Sequence, residues 1–282
     1  MTILYVHGGV SGIDRGTRPD LSYPIGSALA EPVALDAVER AIRRMEDDPA
    51  LNAGYGAVLN RDGLLELDAG IADGSGLCGA VTGVTVCHPI SLARRVLEAT
   101  PHVLIAGAGA EELGADMERL RDTSPEQRQR WVDAQAQGAL AMEHYGAREH
   151  VDTVGAVALD EFGRLAAGSS TGGVFGKLQG RVGDAPIFGA GFYASQLAAV
   201  VGTGVGELFI RAQAAARTGA LIEQGRHPAQ ACEQIIREMT VSREHTAGLL
   251  ALDREGRAGA AFRGASLEVQ GPAGTVEAIL VK

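Results

Sequence analysis

The side chains that could attack a carbonyl group in this chain do not form a histidine-assisted arrangement. The motif Gly-x-Ser-x-Gly is absent, and the seven histidines show neither the H-x-x-x-H nor the H-E-x-x-H spacing of a metal site. The three cysteines, Cys78, Cys87 and Cys232, have neither C-x-x-C nor zinc-site spacing. We therefore interpret the cysteines as small, reduced core residues rather than as nucleophiles, metal ligands or disulfide partners.

A threonine offers a second route to this chemistry, because its own backbone amine can act as the base. An apolar strand begins at Asp152-Thr153. If the chain were cut before Thr153, the freed α-amine, with a reference pKa of about 8, could accept the proton of the Thr153 hydroxyl near neutral pH. An acyl shift from amide to ester at this junction would make the cut if the peptide were held under strain. The sequence thus indicates Thr153 as a candidate nucleophile.

Composition narrows the class of protein. The chain has 282 residues and a net charge of −10, and its length predicts one large domain or two tightly joined halves. The acidic balance and the lack of a Lys/Arg cluster argue against a nucleic-acid partner. We also expect no membrane partner and a cytoplasmic location, because no apolar run reaches about 18 residues and no secretory segment is recognisable. The 39 glycines indicate many tight turns and close backbone approaches.

Hydrophobic periodicity divides each half of the chain into runs of strands and runs of helices. In the N-terminal half we predict strands at 2–6, 57–60, 64–71, 77–86 and 102–106, a loop at 13–32, and helices at 33–45, 91–100, 109–120 and 124–145. In the C-terminal half we predict strands at 153–159, 164–169, 186–190, 198–202, 247–253, 259–262 and 276–281, and helices at 207–223 and 227–239. Such runs, instead of strict β-α-β alternation, favour an α+β fold with layered sheets and helices outside.

Six segments carry a resemblance that covers both halves of the chain. They are His7-Gly8-Gly9, Glu46 to Gly56, Asp152 to Asp160, Ser170-Thr171-Gly172-Gly173, Gly180 to Ala194 and Thr203-Gly204-Val205-Gly206-Glu207. Together and in this order they resemble the plant-type L-asparaginase and isoaspartyl peptidase family of N-terminal nucleophile hydrolases, which includes glycosylasparaginase. The resemblance implies a four-layer αββα sandwich. It also implies one domain built from a large subunit, 1–152, and a small subunit, 153–282, after self-cleavage.

The resemblance assigns catalytic roles to individual residues. Self-cleavage between Asp152 and Thr153 would expose Thr153 as the nucleophile, with Thr171 as its hydrogen-bonding neighbour. Thr203 Oγ1 and the Gly204 N–H would form the oxyanion hole, where removing one donor costs about 3–4 kcal/mol. From the residues alone, Thr171 and Thr203 could equally be turn hydroxyls.

The resemblance also assigns residues to the substrate. Arg181 would bind the substrate α-carboxylate, for which a planar guanidinium is better suited than lysine. Asp184 would bind the α-ammonium together with the Gly206 carbonyl, and Gly204 would lie beside the reacting group. Asn52 would sit near the nucleophile and support the cut. A surface pair of Arg181 and Asp184 is the alternative reading of the same residues.

A cation-binding turn is implied at the end of the first predicted helix. No organic cofactor is expected, but backbone oxygen ligands there would suit a hard cation such as sodium. The acidic run at 46–48 could instead be a solvated helix end. The carbonyls that the resemblance implies as ligands are those of Met45, Glu46, Asp48, Leu51, Ala53 and Tyr55.

The activity implied is hydrolysis of the β-amide of L-asparagine or of β-aspartyl (isoaspartyl) dipeptides, with release of L-aspartate from a threonine acyl-enzyme. Asp152, which precedes the nucleophile, is similar to the glycosylasparaginase branch and leaves N-acetylglucosaminyl-asparagine open as a substrate. Val205 stands where the family often has Thr or His, on the expected leaving-group side. A non-catalytic amino-acid-binding homologue that never matures is a further alternative. The resemblance implies a homodimer of cleaved protomers, (αβ)2, that acts on a small molecule.

Overall fold

Two β-sheets form the centre of the molecule. The computed structural model describes residues 1–11, 20–140, 153–239 and 245–281. One sheet has eight strands in the order β12-β11-β1-β5-β6-β2-β3-β4, and the other has five in the order β13-β10-β9-β8-β7. The strands are β1 (Ile3–Ser11), β2 (Leu67–Asp73), β3 (Cys78–Val84), β4 (Leu104–Ala106), β5 (Val154–Leu159), β6 (Leu165–Thr171), β7 (Phe192–Ala194), β8 (Ala198–Gly204), β9 (Ala247–Asp253), β10 (Ala258–Arg263), β11 (Ser266–Gly271), β12 (Gly274–Thr275) and β13 (Ile279–Leu280).

Eight α-helices lie within the described ranges. They are α1 (Ser22–Ala28), α2 (Ala34–Glu46), α3 (Pro89–Ala99), α4 (Gly107–Leu113), α5 (Pro125–Ala136), α6 (Gly206–Ala212), α7 (Ala214–Glu223) and α8 (Pro228–Met239). None of the helices in those ranges is long and apolar enough to cross a membrane. Ser124 caps α5 as predicted, because its side chain accepts a hydrogen bond from the Gln127 N–H at 3.4 Å.

The helices pack on the sheets, and the sheets pack on each other. α2 and α3 lie against the central strands of the eight-stranded sheet, and α7 and α8 lie against β8, β9 and β10 of the other. β5, β6 and β1 face β8 and β9. Three buried apolar clusters fill the spaces between helices and the first sheet, between helices and the second sheet, and between the two sheets. The mixed helix-and-sheet fold class is therefore confirmed.

Periodicity located the long elements well and the short ones poorly. α2 lies within one residue of its predicted bounds because an apolar stripe from Ala37 to Met45 is buried against β5 and β6. The predicted loop at 13–32 is wrong at Ser22–Ala28, where a helix tolerates Pro24 in its first turn. The predicted helix at 124–145 ends at Ala136, and residues 141–145 lie outside the described ranges.

Other differences concern short or interrupted elements. Residues 57–60 and 186–190 were predicted as strands but form no regular strand. The predicted helix at 207–223 is two helices, because Gln213 between them adopts the left-handed conformation at φ 51°. β11, in which buried and half-buried residues alternate, was missed altogether.

The register of the large sheet determines which side chains meet at its centre. β6 lies between β5 and β2, and it pairs antiparallel with both. Val154 is opposite Ser170, and Asp68 is opposite Thr171. Thr153, one residue before Val154, therefore reaches the end of β6 at Thr171. The start of β5 and the end of β6 form the edge at which the candidate nucleophile lies.

Candidate active site

Thr153 and Thr171 are joined by a hydrogen bond at this edge of the sheet. Both residues are buried, with Thr153 3% exposed. The Thr153 hydroxyl donates to Thr171 Oγ1 at 3.2 Å, and the Gly173 N–H donates to the same oxygen at 2.9 Å. The Thr171 hydroxyl is thus held by the turn that follows it, and it fixes the direction of the Thr153 hydroxyl. Asp152, the other residue of the predicted cleavage site, lies outside the described residues.

Asn52 holds the turn after Thr171. Its Nδ2 donates to the Gly173 carbonyl at 2.8 Å, and its backbone carbonyl accepts from the Gly172 N–H at 3.0 Å. Its Oδ1 accepts from the Val58 N–H at 3.0 Å, so the side chain cannot rotate freely. A Cβ at Gly172 would lie 2.6 Å from Asn52 Oδ1, which is too close for any other residue. Asn52 therefore acts on the Thr171–Gly173 turn.

Thr203 and Gly204 end β8 in the opposite sheet. Thr203 has no exposed surface, and its hydroxyl accepts from the Val10 N–H of β1 at 3.4 Å, which links the two sheets. Gly204 has φ 137°, and a Cβ there would lie 2.5 Å from the Thr246 carbonyl oxygen. Only glycine fits that backbone. Val205, which follows, is buried in the apolar cluster between the five-stranded sheet and its helices.

Arg181 is fixed by a carboxylate that sequence reasoning did not assign. Its Nε and Nη2 donate to the two carboxylate oxygens of Glu207 at 3.0 and 2.9 Å. Its side chain is 12% exposed, and Glu207 is half-buried. Burial opposes the charge of Arg181, but the Glu207 hydrogen bonds outweigh it and raise the pKa of Arg181. The guanidinium is thus charged and oriented, with Nη1 towards Gly183.

Asp184 and Gly206 lie directly beside that guanidinium. A Cβ at Gly206 would lie 2.8 Å from Asp184 Oδ1 and 3.0 Å from Arg181 Nη2. Asp184 is buried, and its Oδ2 has no hydrogen-bond partner among the described residues. Burial raises the pKa of Asp184 to about 7, although the charge of Arg181 opposes the shift. The site therefore presents a fixed cation beside a carboxylate whose Oδ2 has no donor among the described residues.

His7 is buried at the same edge. β1 continues through His7-Gly8-Gly9, beyond the predicted strand at 2–6. A Cβ at Gly155 would lie 2.4 Å from His7 Nε2, so the imidazole packs on the strand of Thr153. Burial lowers the pKa of His7 to about 3, and the ring is therefore neutral at physiological pH. The His7-Gly8-Gly9 segment was part of the resemblance, but the sequence does not show that the His7 side chain is buried.

The turn after α2 has the chemistry of a cation site in part. A Cβ at Gly54 would lie 2.4 Å from the Glu46 carbonyl oxygen, and one at Gly56 would lie 2.2 Å from that of Leu51 and 2.7 Å from that of Asp48. These carbonyl oxygens therefore face the two glycines of the turn, and oxygen ligands are the kind that a hard cation binds. The carbonyl of Tyr55 already accepts two hydrogen bonds, at 2.8 and 3.2 Å, and fits less well.

The acidic side chains of this turn are not a metal cluster. The Glu46 carboxyl is buried, and its Oε1 accepts from Ser170 at 2.6 Å and from the Ile90 N–H at 3.1 Å. Burial raises the pKa of Glu46 to about 8. The alternative reading as a solvated helix end is therefore wrong for Glu46. No group of three His, Cys, Asp or Glu side chains in the described part of the chain could hold a metal.

Comparisons with known proteins support the resemblance. A family model described as asparaginase matches residues 27–274. The chain belongs to the asparaginase family. The isoaspartyl peptidase of Salmonella typhimurium is 41% identical over 92% of this chain and 91% of its own length. The isoaspartyl peptidase/L-asparaginase of Rattus norvegicus is 39% identical over 90% and 81%, and the plant-type L-asparaginase of Pyrococcus abyssi is 38% identical over 92% of each.

Within this asparaginase-family fold, six of the predicted site residues form two groups. Thr153, Thr171 and Asn52 meet around one turn, and Arg181, Asp184 and Gly206 meet around one guanidinium. Glu207 joins the second group and was missed. Glu207 is the last residue of the Thr203-Gly204-Val205-Gly206-Glu207 segment and lies at the start of α6, so the resemblance included it. Nothing in the sequence indicated that it pairs with Arg181.

Proposed function

We propose that the chain cleaves itself between Asp152 and Thr153, and that the new N-terminal threonine hydrolyses the β-amide of L-asparagine and of β-aspartyl dipeptides. The observation that carries the proposal is the buried hydrogen bond between the Thr153 and Thr171 hydroxyls, at the residue that follows the junction and directly precedes β5. The names of the relatives, isoaspartyl peptidase and plant-type L-asparaginase, support the choice of substrate.

The proposed reaction uses one residue as both nucleophile and base. The Thr153 α-amine takes the proton of the Thr153 hydroxyl, and the hydroxyl oxygen attacks the β-carbonyl carbon of the substrate. Thr203 Oγ1 and the Gly204 N–H stabilise the oxyanion. The amine then returns the proton to the leaving nitrogen, and water hydrolyses the acyl-enzyme to release L-aspartate. Thr171 keeps the Thr153 hydroxyl pointing at the carbonyl.

The second group of residues fits the other end of such a substrate. The α-carboxylate binds Arg181, whose plane Glu207 has already fixed. The α-ammonium binds Asp184, whose Oδ2 lacks a donor, and the Gly206 carbonyl. A substrate with both charges would thus satisfy a cation and an anion that are already side by side. We therefore expect a preference for substrates with a free α-carboxylate and a free α-amine.

Several further features belong to the same proposal. Residues 1–152 and 153–282 would be the two subunits of a single four-layer αββα domain of the N-terminal nucleophile type, and two cleaved protomers would form an (αβ)2 dimer. A sodium ion would bind the turn after α2 and stiffen it. The carbonyls that line the turn and would hold the ion are those of Glu46, Asp48 and Leu51, with Met45 and Ala53 beside them.

A side-by-side rate comparison tests the proposed substrate. Release of L-aspartate is measured from L-asparagine, β-aspartyl-leucine and N-acetylglucosaminyl-asparagine, with Thr153→Ala as the inactive reference and the exposed Arg237→Met as the control. We expect turnover of the first two substrates and none in Thr153→Ala. Faster release from the glycosylated substrate would favour glycosylasparaginase activity instead. Binding of asparagine without turnover, equal in the wild type and Thr153→Ala, would mean that the chain is a binding protein.

A further inference from the structure

Lys177 is an unusual lysine in this chain. Of the 25 lysines and arginines, only Lys177 and Lys282 are lysines, so nearly every other cation is arginine. Lys177 has no exposed surface and is among the largest fully buried side chains. Lysine is almost never fully buried without a partner, since desolvation of its ammonium costs several kcal/mol. The burial of the Lys177 ammonium therefore points to a role inside the protein rather than at its surface.

The ammonium of Lys177 lies against the turn that holds the nucleophile. Its Nζ donates to the Glu66 carbonyl at 2.7 Å. A Cβ at Gly173 would lie 3.0 Å from both Nζ and Cδ of Lys177, so the side chain packs directly over Gly173. Gly173 in turn donates to Thr171 Oγ1 and accepts from Asn52. Lys177 is thus one residue removed from the Thr153–Thr171 hydrogen bond.

Asp68 provides the opposite charge on the neighbouring strand. It is 1% exposed and lies opposite Thr171 in the register of β2 and β6. Its Oδ1 accepts from the Thr82 hydroxyl and from the Gly83 N–H, whereas its Oδ2 has no hydrogen-bond partner in the described ranges. Side chains directly opposite on antiparallel strands share one face of the sheet. The side chains of Asp68 and Thr171 therefore share one face of the sheet, on which the Thr153 hydroxyl is bonded to Thr171.

The charges of Lys177 and Asp68 act on each other. Burial lowers the pKa of Lys177, and the negative charge of Asp68 is the largest effect that opposes this shift, followed by that of Glu66. Glu66 also accepts from the Gly180 N–H at 2.7 Å, next to Arg181. Lys177 and Asp68 are therefore two buried, opposite charges that both lie next to the Thr171–Gly173 turn.

We propose that Lys177 and Asp68 are positioning residues for the reaction: the ammonium over Gly173 and the carboxylate opposite Thr171 together fix the Thr171–Gly173 turn, which holds the Thr153 hydroxyl. The proposal rests on the function proposed above. A fixed turn matters for both steps that use this hydroxyl, the self-cleavage and the attack on the substrate, because a displacement of about 1 Å can slow a positioned reaction about a hundredfold.

The test is a double-variant cycle of Lys177→Met and Asp68→Asn, with Arg237→Met as a surface control. Self-cleavage is followed on denaturing gels, and kcat and KM for L-asparagine are measured per cleaved chain. We expect each single variant to lower the cleavage rate and kcat at least about tenfold and to change KM less than about threefold. We expect the double variant to be no slower than the slower single variant, because coupled residues are not additive.

Thermal unfolding separates positioning from stability. Replacing both buried charges by neutral side chains of similar volume is often neutral or stabilising. We therefore expect the double variant to keep the wild-type Tm and remain slow. Recovery of wild-type rates in the double variant would show that Lys177 only neutralises Asp68, and it would overturn the proposal. Additive losses, an effect on KM alone, or unfolding of the double variant would overturn it as well.

The reference variant Thr153→Ala keeps this inference distinct from the function on which it rests. Full activity in Thr153→Ala would refute the proposed nucleophile, whatever Lys177 does. No activity in Thr153→Ala combined with wild-type rates in Lys177→Met would refute only the positioning role.

Discussion

The carboxylate of Asp184 allows a quantitative prediction about substrate recognition. Burial raises its pKa to about 7, and its Oδ2 has no partner among the described residues. A protonated Asp184 cannot pair with the α-ammonium of a substrate. The free enzyme should therefore recognise that ammonium well above pH 7 and poorly below it.

The size of the effect follows from the pKa. With a pKa of about 7, the ionised fraction is about one eleventh at pH 6 and about ten elevenths at pH 8, so ammonium recognition should rise about tenfold over this range. The dependence should appear in kcat/KM, which reports the free enzyme, and much less in kcat. A bound ammonium holds the carboxylate in its ionised form.

The assay compares two substrates that differ by one group. L-asparagine has the α-amine, and succinamate is the same amide without it. In the proposed mechanism both require a deprotonated Thr153 amine, so the ratio of their kcat/KM values cancels that ionisation and isolates Asp184. We expect the ratio to rise about tenfold between pH 6 and pH 8.

Asp184→Asn supplies the matched control. Its ratio should be flat with pH, and its kcat/KM for asparagine at pH 8 should fall about tenfold to a hundredfold, the worth of a hydrogen bond to a charged group. The exposed Asp133→Asn should behave like the wild type. The assignment of the ammonium to Asp184 would be refuted if the ratio did not change with pH in the wild type. It would also be refuted if the ratio still rose with pH in Asp184→Asn.

Three further predictions concern the same pocket. Arg181→Lys should raise KM for asparagine about tenfold or more, because it loses the planar two-point contact, and it should leave self-cleavage intact on gels. Loss of cleavage would mean that Arg181 is structural. Gly206→Ala should raise KM in the same assay, since its Cβ would lie 2.8 Å from Asp184 Oδ1, whereas Gly26→Ala, with nothing within 4 Å, should not. Because ionised Asp184 is disfavoured in the fold, Asp184 should contribute a loss of stability of up to about 4 kcal/mol between about pH 4 and pH 7, at about 1.4 kcal/mol per pKa unit. Asp184→Asn should lose this contribution, so its stability in thermal unfolding should change with pH differently from that of the wild type by this amount, and equal slopes would contradict the burial argument.

The sequence predicted the long periodic elements because their apolar stripes face a sheet. α2 is an example: its buried residues from Ala37 to Met45 repeat every three to four positions. β11 was missed because it is short and its inward residues, Leu267 and Val269, are separated by polar ones in a glycine-rich region. The break at Gln213 could not be predicted, since a left-handed glutamine has no local signal.

The candidate site was predictable in its residues but not in its contacts. Short sequence motifs identified Thr153, Thr171 and Arg181 as candidate site residues. They did not show that Arg181 would be tied to Glu207, because that pairing depends on how the loop before β7 meets the start of α6. Buried charges such as that of Lys177 are equally invisible, since one lysine in a glycine-rich stretch has the same local sequence whether exposed or buried.

The most direct test of the account is the mass of the purified chain. Denaturing electrophoresis and intact mass measurement should show two fragments, of 152 and 130 residues from the 282 of the full chain, with Thr153 at the N-terminus of the smaller one. Thr153→Ala should remain a single uncleaved chain without amidohydrolase activity. A fully active wild-type chain that stays intact would contradict the claim that Thr153 acts through its own freed amine.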